Sequence, residues 1–159
     1  MHRRRSTHPI RSTFRIAAIA LLPLATVACN DDDSGFEPPT ELGPNDVHVA
    51  NATAILVGDS DAAVSALLFS YEDQRVVFAE VDPSVAASVV LVDGSEDTGG
   101  EPIGAIDIES REHRNLQPGQ PHILLEDIGP DVEPGSSFVM TVHFESASPR
   151  TIEVEVVDA

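Results

Sequence analysis

From Asp46 onward the sequence predicts an all-β domain, a sandwich of about seven to nine short strands. Three observations point there. The Val, Ile and Leu runs are short, and clusters of Gly, Pro, Asp and Ser cut them apart. Two late segments alternate apolar and polar residues with the period of a half-buried strand. No stretch carries the helical period, and no internal repeat is present.

Taken in chain order, 47–56, 64–70, 75–81 and 88–92 are β-branched or apolar runs, each bounded by turn residues, and each is expected to be a strand. Shorter strands are expected at 103–109 and 122–126. The clearest pair follows. Across 137–145, Phe138, Met140, Val142 and Phe144 alternate with Val139, Thr141, His143 and Glu145. Across 150–157, Ile152, Val154 and Val156 alternate with Thr151, Glu153 and Glu155. Each of these two strands should bury one side, putting Met140 in the core and His143 toward solvent. Ser146-Ala147-Ser148-Pro149 between them is a hairpin-sized connection. An immunoglobulin-like or cupredoxin-like sandwich accommodates this strand count in one domain, residues 46–159.

The residues before it differ in kind. Arg3, Arg4, Arg5, Arg11 and Arg15 stand without an acidic residue before the apolar run IAAIALLPLATV, and small Ala28 follows that run. That order is a secretory signal peptide over 1–28, and the run falls short of the ~20 residues that span a bilayer. Cys29 follows, the single cysteine of the chain. Residues 29–45 then run acidic and rich in Pro and Gly, which suits a flexible tether.

Thr26-Val27-Ala28-Cys29 resembles the lipobox of bacterial lipoproteins, with Thr26 where a leucine is usual. The resemblance implies that Cys29 is lipidated and becomes the new N-terminus. The protein would then sit on the outer face of the bacterial cell membrane, held by the lipid on Cys29. The alternative is an ordinary signal peptide cut near Ala28, leaving Cys29 a free thiol.

Charge narrows the partners. All 27 acidic residues follow the signal peptide, whereas only Arg75, Arg111, Arg114 and Arg150 do so among the basic ones, and lysine is absent. Such a chain repels nucleic acid and anionic lipid headgroups. One cysteine excludes a disulfide framework and a cysteine-based zinc site.

Residues 116–157 read LQPGQPHILLEDIGPDVEPGSSFVMTVHFESASPRTIEVEVV. Leu116, Pro118, Gly119, His122, Leu125, Gly135, Phe144 and Val154 fall where the PCu(A)C family of periplasmic copper chaperones places such residues. The segment is similar to the C-terminal half of that family, and 64–92 resembles its middle strands. The resemblance implies a cupredoxin-like sandwich, copper as the metal, and a part in copper handling for respiratory oxidase assembly.

The resemblance also implies a Cu(I) site of two histidines and two methionines, ligands soft enough for that ion. Here the segment expected to hold the first pair, SVVLVDGSEDTGG, has no His, Met or Cys. The second pair should read His-x-Met and instead reads His122-Ile123-Leu124. Only His122 remains as a metal ligand, so weak or absent Cu(I) binding is expected. A mixed site of His122, His113 and carboxylates would favour Cu(II) or Zn(II). The plainer alternative makes His122 a surface histidine held by local hydrogen bonds. The domain would then be an interaction module with an envelope protein partner and no metal.

Other chemistry is thinly represented. Gly58-Asp59-Ser60-Asp61 and Asp93-Gly94-Ser95-Glu96-Asp97 are acidic turns that Ca²⁺ could visit, yet neither has the spacing of an EF-hand loop. No nucleophile elbow or phosphate loop is present, so no catalytic residue is assigned and no enzyme is expected. Six Phe, one Tyr and no Trp offer little platform for stacking sugars or bases.

Overall fold

The structure, a computed structural model, describes residues 42, 43, 45–94 and 100–158. Nine strands run through them: β1 (Val47–Val57), β2 (Asp61–Ser70), β3 (Gln74–Val81), β4 (Ala86–Val92), β5 (Ile106–Ile108), β6 (His113–Leu116), β7 (His122–Ile128), β8 (Ser137–Phe144) and β9 (Arg150–Val157). Among the described residues there is no helix.

The strands bond in the order β4-β7-β2-β1-β9-β8-β3-β5, with β6 also on β2. The two ends of this path approach each other, β3 lying near β4, so the sheet folds over into a nearly closed sandwich. β1 links the two layers. It pairs antiparallel with β2 along its length, and its later part pairs parallel with β9, Thr53 opposite Glu155. The switch falls at a bulge after Ala50, where Asn51 takes a left-handed φ of 53°. Asn tolerates that conformation better than most residues, and the bulge bends the strand between layers.

β8 and β9 behave as their alternation requires. Phe138, Met140, Val142 and Phe144 are buried while Val139 stands out. Val154 and Val156 of the neighbouring β9 are buried on the same side, and Glu153 and Glu155 face water. The core joins these residues to Val47, Val64, Leu68, Val76, Ile106, Ile123 and Leu125 from the other strands. Fully burying a side chain of this size contributes about 1.5–3 kcal/mol relative to leaving it exposed, so this cluster is the main source of stability in a domain without a disulfide.

Several expected boundaries move. β2 begins at Asp61, because Ala62 and Ala63 are fully buried and extend the pairing with β1. β5 shrinks to three residues within the expected 103–109. β6 was not expected at all. Its sequence, HRNL, has no apolar alternation, and main-chain bonds to β2 make it a strand.

Candidate functional site

Gln117-Pro118-Gly119-Gln120 forms a turn closed by the Gln120 amide donating to the Gln117 carbonyl at 2.9 Å. Pro118 presets one central φ, and Gly119 takes φ 82°, the arrangement of a type II turn. Pro121 follows, and β7 starts at His122.

His122 is fully buried. Its Nδ1 lies 2.9 Å from the Gln120 carbonyl oxygen. A carbonyl only accepts, so Nδ1 carries the proton and donates. In the neutral ring Nε2 is then left with its lone pair, the form in which imidazole binds metals. Nε2 is buried and has no hydrogen-bond partner. The surface-histidine alternative is therefore corrected: the ring is inside, fixed by a local main-chain bond.

The close approach that buries this corner involves Gly94. A Cβ there would stand 2.1 Å from the Gln120 carbonyl oxygen, and the residue holds φ 73°. Asp93 is bonded twice to Glu101. Its amide donates to the Glu101 carbonyl, and its Oδ1 accepts from the Glu101 amide at 3.0 Å.

Register shows what surrounds the imidazole. Val92 of β4 is paired with His122, and Val90 with Leu124, which also faces Ala63 of β2. Paired residues share a face, as do residues two apart on one strand. His122 and Leu124 thus lie on the face of β7 opposite the core residues Ile123 and Leu125, beside Val92, Val90 and Ala63. Further along, the Ser88 hydroxyl donates to the Glu126 carboxylate.

A thioether at position 124 would stand on the same face as His122, which is the chemical sense of a His-x-Met pair. Leu124 puts methyl groups there instead. The imidazole fits a ligand role, but the four-donor soft set for Cu(I) does not fit the residues present. The mixed site fares no better. His113 pairs with Phe69 at the far end of β6, its ring edge-on to Phe69 at 5.4 Å. Among the described residues no three His, Cys, Asp or Glu side chains are grouped to hold a metal.

The acidic turn at 58–61 is engaged locally, whereas residues 95–97 of the turn at 93–97 lie outside the described residues. Asp61 Oδ1 accepts from the Ser60 hydroxyl and the Asp127 amide, both at 3.2 Å. His143, expected toward solvent, lies on the outer side of β8, its Nε2 2.9 Å from Glu80 and its ring stacked on Phe78 at 3.9 Å. Sequence reading did not single out Phe78 or Glu80. The bulge in β3 between Val76 and Phe78 turns Phe78 outward, and no residue pattern announces it. Cys29 lies outside the described residues.

The fold of this sandwich is similar to that of PCuAC domains. The copper-bound PCuAC domain from PmoF2 has a TM-score of 0.60 and 20% identity, covering 74% of this chain and 97% of that one. The apo PCuAC domain from PmoF1 matches at 0.60 and 18%, covering 75% and 98%. The Cu(I) form of DR1885 from Deinococcus radiodurans, a solution structure, matches at 0.57 and 17%, covering 73% and 79%. No curated protein matches the sequence. The chain belongs to the LpqE-like family of putative lipoproteins, whose description matches residues 44–156.

Proposed function

We propose that the protein is an extracytoplasmic lipoprotein, anchored through Cys29 with 29–45 as tether. Its sandwich would serve copper handling or respiratory oxidase assembly through protein contacts, with weak or no Cu(I) affinity of its own. Membership of a putative lipoprotein family and the likeness to copper-binding domains support the first part. One observation carries the second. Among the described residues, Val92 is paired with His122, and Val90 and Ala63 with Leu124 on the same face, and none of these side chains donates to a soft metal.

Two experiments test this reading. Palmitate labelling in the native host should mark the protein and be lost in Cys29→Ser; unlabelled protein contradicts the anchor. In NMR spectra of residues 30–159, the His122 ring resonances should stay in place when one equivalent of Cu(I) is added under reducing conditions. Their displacement would show a metal site in this corner.

The same face supports a second reading, an envelope interaction module with no part in copper chemistry. It would leave host oxidase activity unchanged in a deletion strain at limiting copper, whereas the first reading predicts a loss.

A further inference from the structure

The outer face of β3, β8 and β9 has a composition that the rest of the described surface lacks. Phe78 and Val139 are the two large apolar side chains exposed among the described residues, at 49% and 58%. Both belong to this face. Phe78 is paired with His143, and Val139 follows His143 at the fourth residue back along β8, a separation of about 14 Å at strand rise. Between them lie Glu80, Thr141 and Thr151, the two threonine hydroxyls 3.3 Å apart.

Phe78 is held rather than loose. Its ring stacks on His143 with an interplanar angle of 12°, and Glu80 holds the imidazole at its Nε2 edge. A rigid aromatic that is half exposed loses little freedom on binding, which is the property of an interface anchor. At the other end, Val139 pairs with Glu153, and Ser137 with Glu155. These two carboxylates border an open groove of about 440 Å³ with Ala52 and Ser136. The neighbouring guanidinium groups point elsewhere, Arg75 to Asp107 and Arg150 to Asp46.

We infer that this face docks a cationic protein surface, one that sets apolar residues on Phe78 and Val139 and arginine or lysine beside Glu153, Glu155 and Glu80. Charge complementarity selects this occupant. A second copy of the chain would bring carboxylates against carboxylates, and an anionic membrane surface would be repelled. The inference goes beyond the reading above and holds whether or not His122 meets a metal.

The test uses residues 30–159, labelled for amide NMR, and a seven-residue peptide alternating arginine with leucine and phenylalanine. Its counterpart with glutamate for arginine is the control. Shift changes confined to β3, β8 and β9, and no binding of the glutamate peptide, are the expected result. Phe78→Ala with Val139→Ser, or Glu153→Gln with Glu155→Gln, should each weaken binding at least about tenfold. Asp59→Asn with Glu112→Gln, equally acidic sites on other turns, should leave it unchanged. Shifts scattered over the acidic surface, equal weakening by the control pair, or no binding at millimolar peptide would overturn the inference. So would dimerisation of the protein through this face.

Discussion

Gly94 and Gly119 both hold left-handed φ, yet only one is crowded. A Cβ at Gly94 meets the Gln120 main chain, whereas a Cβ at Gly119 meets nothing within 4 Å. Gly94→Ala should therefore cost about 2–4 kcal/mol, combining conformational strain with a clash against backbone that cannot yield. Gly119→Ala should cost only about 1–2 kcal/mol, the conformational part alone. Urea unfolding of the two variants checks this, and equal losses would mean that the corner is not close-packed. At this scale the sequence was informative in part. The Pro-Gly-x-x-His spacing marked the turn and His122, and the loss of Met next to it was visible as Leu124. That His122 is buried was not visible, because its strand partner Val92 is distant in sequence and set by register.

Strands that bury one face were the easiest elements to read. β8 and β9 alternate cleanly, and their limits nearly coincide with the expected ones. β2 is buried on both faces for most of its length, so its apolar run gave no period with which to find its start. β6 carries no pattern because its existence depends on unpaired main-chain groups of β2. The link between β3 and β4 adds a pH-dependent contribution. Asp82 accepts from the Ser84 hydroxyl at 2.7 Å and from the Ser84 amide at 2.9 Å, and these bonds hold its carboxyl below the usual value. A depressed carboxyl pKa stabilises the fold above its unfolded value, and the contribution disappears as pH falls through the folded one. Wild type should therefore be slightly more stable than Asp82→Ala at neutral pH. The difference should fade as pH falls below the ordinary carboxylate value of about 4 and through the lower folded one. A gap that persists in acid would assign the effect to something other than the carboxylate.

Across the whole molecule, carboxylates dominate. With 22 of the 27 in residues 46–159 and no lysine, like charges crowd the sandwich surface. Self-repulsion of this kind destabilises the compact state and is screened by salt. Raising sodium chloride from about 20 mM to about 0.5 M shortens the screening length severalfold, and melting should rise by about 5 °C. A melting temperature indifferent to salt would show that the charges are spaced widely enough not to matter. The fold class was legible at this scale, since short β-branched runs and frequent turn residues left little alternative. The order of the strands was not, because β1 crosses between layers at a bulge that a single Asn marks only weakly.

The central proposal is that this PCu(A)C-like sandwich binds Cu(I) weakly or not at all. Competition for Cu(I) against a chromogenic chelator tests it most directly, with residues 30–159 as wild type and as His122→Ala. The chelator should keep its copper equally against both proteins. Tight one-to-one withdrawal of copper by wild type, lost in His122→Ala, would contradict the claim and show a site rebuilt around this imidazole.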